Sequence, residues 1–304
     1  MERNMKILCA VDGSEFSHRA VEALASLVGQ GLNEVVLLHV VETGLLSSAR
    51  ADKARVKASL VSVDREADKL LQRMAATAAA ALSQSATAPR TAIRTVLAHG
   101  PVAETIVRQA SWRRVDLVMV GSQGLSDIRS FLLGSVSRKV VSLASCPVLV
   151  VKRRLSQIAR VVLAVDGSKH AKTAAEFLRT CFLPESAHLT VLSVVAPVVT
   201  DLAARVLPQP QIDALTKPLE ERASRIVAAF REAFLKEGCA VTTDVLAGLP
   251  SQTIIEYAGR NRADLVAVGS RGLTGTDRLL LGSVSEGILK YAPCSVLIVR
   301  GRTG

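Results

Sequence analysis

Short aliphatic runs alternate with longer stretches of helical character along the whole chain. In the N-terminal half, residues 6–11, 34–41, 92–97, 117–120 and 148–151 are near-continuous hydrophobic runs. Unbroken runs of this kind are expected of parallel strands covered on both faces. Predicted helices lie between them at 17–28, 52–82, 103–112 and 135–143. The C-terminal half repeats the pattern, with strands at 160–165, 189–195, 241–246, 265–268 and 296–299 and helices at 172–182, 212–236, 251–260 and 283–290. Strands joined by crossovers of ten or more residues predict an α/β fold with a doubly wound parallel sheet. The alanine-rich piece 75–82 reads as a helix end, because alanine is the strongest helix former. The stretch 196–210, with Pro197, Pro208 and Pro210, reads as an irregular loop, and the polar, basic 152–157 as a linker.

The two halves are copies. The octapeptide ILCAVDGS at 7–14 returns as VVLAVDGS at 161–168, an offset of 154. VDLVMVGS at 115–122 returns as ADLVAVGS at 263–270, and LGSVS at 133–137 returns at 281–285, both at an offset of 148. Copies of about 150 residues are too long for solenoid units, so the chain is a tandem of two five-stranded domains, predicted at 1–152 and 158–301. Its 304 residues agree with that count at roughly 100–200 residues per domain.

Composition narrows the function classes. Apolar residues make up 49% of the chain, enough for two buried cores, while aromatic residues make up 3%, which argues against modules that stack bases on aromatic platforms. The formal charge of +11 raises the question of a polyanionic partner. The densest basic run, Lys152-Arg153-Arg154, is short and falls in the linker, so a nucleic-acid partner is not expected. Five widely spaced cysteines with no CxxC pair fit reduced, buried thiols. Mean hydropathy is +0.32, yet no apolar run approaches the roughly 18 residues of a membrane span. The run at 5–11 is too short for a leader and leads straight into Asp12. A cytoplasmic protein without a membrane partner is expected.

Ligands of open α/β sheets bind at the carboxyl ends of the strands, where strand order reverses. Two loops lie there in each copy. Asp12-Gly13-Ser14 and Asp166-Gly167-Ser168 follow the first strand. Their carboxylates either face a ligand or shape the turn and cap the next helix, and the loop alone does not separate these roles. After the fourth strand comes Gly121-Ser122-Gln123-Gly124, nine residues, then Gly134-Ser135 opening a helix. The second copy has Gly269-Ser270-Arg271-Gly272, nine residues, then Gly282-Ser283. Glycines permit positive φ and close approach of backbone N–H groups. A Gly-Ser pair at a helix start joins free N–H groups, a hydroxyl and the positive end of the helix dipole, which suits a phosphate. Ser137 and Ser285 offer further hydroxyls.

With this G-x2-G-x9-G-S spacing met in full twice, both halves resemble the universal stress protein family, in its ATP-binding branch. The resemblance implies an adenine-nucleotide α-hydrolase-like fold. It implies that the backbone of Val40 and Val194 holds adenine, with Ala10 and Ala164 beneath the base and Asp12 and Asp166 at the ribose. The loop glycines Gly121, Gly124 and Gly134 with Ser135, and Gly269, Gly272 and Gly282 with Ser283, would take the phosphates, with Mg²⁺ bound through them. Val120, Gln123, Val136, Val268, Arg271 and Val284 would complete the nucleotide sites. It also implies that the last strands of the two copies pair as an intramolecular pseudo-dimer, with association of two chains as a further step. The first glycine turn differs between copies, Gln123 against Arg271.

The chain has no GxxxxGK[ST], GxGxxG after the first strand, GxSxG or HExxH motif. His99, beside the expected crevice, has Ala247 at its place in the second copy. Together with the resemblance, which implies ATP and a stress-response role, these absences favour a regulator with little or slow hydrolysis. The competing readings are an ATP-hydrolysing enzyme of the same superfamily and an interaction module with vestigial sites.

Overall fold

In a computed structural model, residues 5–27, 31–42, 53–83, 91–124, 133–184, 186–198, 206–273 and 281–300 are described. They fall into two units, one ending at Gln157 and the other running Ile158–Arg300.

The N-terminal unit comprises β1 (Met5–Ala10), α1 (Glu15–Glu22), a 3₁₀ turn (Ala23–Leu27), β2 (Leu32–Val41), α2 (Lys53–Ser83), β3 (Ala92–His99), α3 (Val102–Trp112), β4 (Leu117–Gly121), α4 (Ser135–Leu143) and β5 (Val148–Val151). All strands are parallel, in the order β3-β2-β1-β4-β5. The chain moves outward from β1 to β3 and then returns to β1's other side. Two helix pairs flank the sheet, α1 on α2 and α3 on α4. Central β1 is paired on both sides and covered above and below, so Ile7, Leu8 and Cys9 are fully buried. β2 carries four consecutive aliphatic residues, Val35–Leu38, all buried, whereas outer β3 has exposed Arg94 and Thr95. On α2, Ala67, Leu71, Met74, Ala78 and Ala81 recur at three- and four-residue steps and form its buried stripe.

The C-terminal unit comprises β6 (Arg160–Ala164), α5 (Lys169–Phe177), a π-turn (Leu178–Phe182), β7 (His188–Val195), α6 (Gln209–Leu235), β8 (Ala240–Ala247), α7 (Pro250–Arg260), β9 (Leu265–Gly269), α8 (Ser283–Tyr291) and β10 (Ser295–Val299). Its strands are parallel in the equivalent order β8-β7-β6-β9-β10. The doubly wound α/β architecture with five-stranded parallel sheets therefore holds in both units. The repeat offset drops from 154 to 148 between the second and third strands, and the crossover helix shortens from 31 residues in α2 to 27 in α6.

Strand ends shift from the expected bounds by one or two residues, and the larger departures lie at helix ends. The first helix of each copy begins earlier than expected, at Glu15 and Lys169, because Ser14 and Ser168 cap it by accepting from the N–H groups of Ser17 (3.2 Å) and Ala171 (3.1 Å). A cap is polar and invisible to an apolar period. The regular α-helix stops at Glu22 and Phe177, and the expected helical tails continue as a 3₁₀ turn and a π-turn. Gln209 and Pro210, expected in a loop, open α6, since a proline in the first turn gives up no intrahelical hydrogen bond. Part of that expected loop, 199–205, and Asp52 of the expected second helix lie outside the described residues.

Candidate nucleotide site

The strand order reverses between β1 and β4 and between β6 and β9, so both sequence-predicted loops of each unit meet there. In the N-terminal unit they border a cavity of ≈ 270 Å³. Ala10, Asp12, Val40, Val120, Gly121, Gln123, Gly124, Gly134, Ser135 and Val136 all line it. Its polar wall comes from Asp12, the glycine turn and the start of α4, where Gly134 is the N-cap and Ser135 the exposed first helical residue. Its apolar wall includes Val102 and Ile106 of α3, which the sequence motifs had not marked. Their four-residue spacing signals a buried helix face and carries no sign of a ligand. His39, whose Nδ1 lies 2.7 Å from the Val11 carbonyl oxygen, and Glu42 border the cavity as well.

Asp12 and Asp166 hold the site together. Oδ1 of each accepts from the N–H two residues on, Ser14 and Ser168, at 2.9 Å. Oδ2 of Asp166 also accepts from the Leu273 N–H at 3.1 Å, joining the strand-one loop to the glycine turn. The serine caps tie the same loops again. Ser14 Oγ donates to the Gln123 carbonyl at 3.4 Å and Ser168 Oγ to the Arg271 carbonyl at 3.5 Å. Oδ1 of each carboxylate thus shapes its own turn, and in Asp166 Oδ2 fixes the glycine turn as well.

The motif glycines serve close approach rather than positive φ. Among the described residues, positive φ occurs at Gly13 and Gly167 but at none of the six motif glycines; Gly134 and Gly282 have φ of −61° and −67°. A Cβ on Gly121 would lie 2.7 Å from the backbone carbon of Phe16, and one on Gly269 2.6 Å from that of His170. A Cβ on Gly124 or Gly272 would lie 2.9 or 2.7 Å from Oδ2 of Asp12 or Asp166. Another correction concerns Ser137 and Ser285. Both are buried, and their hydroxyls donate to the Gly121 and Gly269 carbonyls at 2.6 and 2.7 Å. They brace the glycine turn, and Ser137 still lines the cavity with its hydroxyl proton committed to Gly121.

The C-terminal unit repeats this frame. Gly282 N–H donates to the Ser270 carbonyl at 2.9 Å, as Gly134 does to Ser122 at 2.7 Å. Ala164 and Val268 are register partners across β6 and β9, while Val194 is the penultimate residue of β7. Ser283 and Val284 are the first two residues of α8, with Gly282 as its N-cap. Unlike Phe16, the equivalent His170 is titratable. Burial first, then Arg271 and Arg300, lowers its pKa below the usual 6.5, against the pull of Asp166. His99, at the end of β3, does not line the cavity and pairs with Asp64 of α2 at 2.8 Å.

The sequence profile described as the universal stress protein family matches residues 3–152 and 157–300. A Bacillus subtilis universal stress protein, YxiE, is 33% identical over 153 residues, covering 48% of this chain and 98% of its own. A universal stress protein of Mycobacterium tuberculosis is 28% identical over 190 residues, 61% of this chain and 62% of its own. The crystal structure of a universal stress protein from Archaeoglobus fulgidus superposes with a TM-score of 0.71 at 23% identity, covering 98% of this chain and 99% of its own. With both halves matched by the profile and both folded alike, the chain belongs to the universal stress protein family as a tandem of two domains.

Proposed function

We propose that this protein is an ATP-binding regulator of the stress response, acting in the cytoplasm, with one adenine-nucleotide site per unit. One observation carries the reading. All ten residues that the motif and the family resemblance mark in the N-terminal unit line a single cavity at the strand-order reversal. An apolar wall from Val40, Val102, Ile106 and Val120 suits a base, and the start of α4 suits phosphates. In the C-terminal unit, support comes from the ties of Ser168 to Arg271, of Asp166 to Leu273 and of Gly282 to Ser270.

Mg²⁺ belongs to the proposal as a companion of the phosphates. Among the described residues no group of three or more His, Cys, Asp or Glu side chains could hold a metal. A metal would therefore be carried mainly by phosphate oxygens, with the exposed Ser135 or Ser283 hydroxyl in reach of that end of the site. Neither glycine turn supplies a lysine, and no water-orienting side chain is common to both, so ATP would persist and conformation would carry the signal. Association of the two copies within one chain, and of two chains, is part of the same reading.

The test is direct. The purified protein is denatured and the supernatant searched for adenine nucleotide, and calorimetry counts sites on stripped protein. Two ATP per chain is the expected result. Stripped protein that binds no adenine nucleotide overturns the reading.

A further inference from the structure

The two units differ in charge around the first glycine turn. At equivalent positions the N-terminal unit carries Glu15, Phe16, Arg19, Gln123 and Lys152, and the C-terminal unit carries Lys169, His170, Thr173, Arg271 and Arg300. In the N-terminal unit, Arg19 is ion-paired with Glu15, sits 5.1 Å from the centre of the Phe16 ring, and donates to the Lys152 carbonyl at 3.3 Å. Its charge has a local partner. In the C-terminal unit, the glutamate has become a lysine and the glutamine of the turn an arginine.

Arg300 follows β10, whose last residue, Val299, accepts from the Ser270 N–H at 2.9 Å. Its Nε and Nη2 are buried and have no hydrogen-bond partner among the described residues. Burial and then Arg271 push its pKa down from the ordinary guanidinium value. His170 lies in the same field, its Nδ1 3.4 Å from Ser270 Oγ. The groups acting on it are Arg271, Arg300, Asp166 and Lys169, and three of these four are cations. A buried guanidinium edge without an acceptor is unfavourable, and like charges beside it make it more so. An anion relieves both costs at once, through charge-assisted hydrogen bonds.

The cluster adjoins the candidate site. The Arg271 carbonyl accepts from Ser168, and the Arg271 Cα lies 3.3 Å from where a Cβ on Gly282, the N-cap of α8, would stand. We propose that Arg271 and Arg300, with His170 and the start of α8, form an anion subsite in the C-terminal unit that selects ligands bearing a polyphosphate chain over monophosphates. The N-terminal unit, with Gln123 and Phe16, lacks this selection. The adenosine part of the ligand rests on the function proposed above; the anion subsite does not.

Calorimetry on full-length protein carrying Gly134→Asp, which silences the N-terminal copy, tests this with ATP, AMP and inorganic tripolyphosphate as probes. ATP should bind the remaining site at least about tenfold more tightly than AMP. Adding Arg271→Gln and Arg300→Gln should weaken ATP by roughly ten- to a hundredfold, AMP by no more than about threefold, and abolish tripolyphosphate binding. If the double variant does not fold, Arg271→Gln alone, which installs the residue of the other copy, should weaken ATP relative to AMP. The converse Gln123→Arg, in a chain silenced by Gly282→Asp, should strengthen ATP relative to AMP. Parallel losses for ATP and AMP, or unchanged ATP affinity, overturn the subsite. If stripped protein binds no nucleotide, the nucleotide reading fails and tripolyphosphate still decides. Binding by the protein without arginine substitutions and loss in the double variant sustain the subsite, and no binding, or binding retained, overturns it.

Discussion

Oδ2 of Asp166 accepts a hydrogen bond from the backbone N–H of Leu273 at 3.1 Å, joining residues 107 positions apart in the chain. Oδ1 of the same carboxylate accepts from the Ser168 N–H at 2.9 Å. One side chain thus fixes the strand-one turn and the glycine turn in a single arrangement. Asp166→Ala removes both bonds, and hydrogen bonds to charged groups contribute about 1.5–3 kcal/mol each. Their loss should lower the midpoint of urea unfolding and weaken nucleotide binding at the C-terminal site. Asp166→Asn keeps the Oδ1 acceptor but sets an amide N–H₂ against the Leu273 N–H, so it should recover only part of the loss.

Gly134→Asp and Gly282→Asp should each abolish one nucleotide site and spare the other. Both positions are helix N-caps with extended backbone, where aspartate is a favoured residue. The new carboxylate would occupy the N–H groups a phosphate needs and repel it, without unfolding the helix. Calorimetry should count one ATP per chain in each single variant and none in the double, with both helices still folded. A modest drop in thermal midpoint is expected for Gly282→Asp, whose Cβ would lie 3.3 Å from the Arg271 Cα. Two sites retained in both single variants would contradict the phosphate assignment.

Gly121→Ala and Gly269→Ala act differently. The added methyl would press to 2.7 and 2.6 Å on the backbone of Phe16 and His170, which belongs to a helix and cannot swing aside. Overpacking of this kind costs typically about 1–3 kcal/mol, so a clear drop in denaturation midpoint is expected. Gly238→Ala is the contrasting control. Its Cβ would meet nothing within 4 Å, and only its φ of +78° would be strained.

Hydrolysis should be slow. A typical enzyme turns over roughly ten times per second, and phosphoryl transfer at such rates needs charge neutralisation and an oriented water. The two turns differ at the one side chain that could contribute, Gln123 against Arg271. Multiple-turnover assays with Mg²⁺ should give rates orders of magnitude below that value. Sustained turnover above about one per second, lost in the Gly134→Asp/Gly282→Asp double variant, would make the protein an enzyme.

Cys9, at the centre of β1, is fully buried, and burial pushes its thiol up to about 12 from 9.0. In native protein at pH 8 it should resist thiol reagents, while the half-buried Cys181 and Cys239 react first, as mass spectrometry of labelled peptides would show. Because the folded state holds this proton more tightly than the unfolded chain, its contribution to stability is complete below pH 9 and falls as pH rises through the window from 9.0 to about 12. A Cys9→Ala variant should show a shallower alkaline loss of stability. Rapid labelling of native Cys9 at pH 8 would contradict its burial.

The sequence alone determined the duplication, the strand runs and the two loops, and with the family resemblance it marked ten of the residues that line the N-terminal cavity. These signals are local to the chain: unbroken aliphatic runs mark doubly covered strands, and glycine spacing marks a turn that opens a helix. Only the tertiary structure decided what those residues touch. The motif glycines yielded space to Phe16, His170 and the two aspartates, and Ser137 and Ser285 proved to be braces. Val102 and Ile106 became a cavity wall although their spacing reads as ordinary core. The bond between Ser270 and Val299 set Arg271 and Arg300 at neighbouring strand ends, with His170 beside Ser270, although no motif links them. Apart from the serine braces, which span 16 residues, these contacts join parts of the chain far apart in sequence. The return of β4 and β9 to the side of the first strand of each unit brings those parts together, and no local period of the chain records that return.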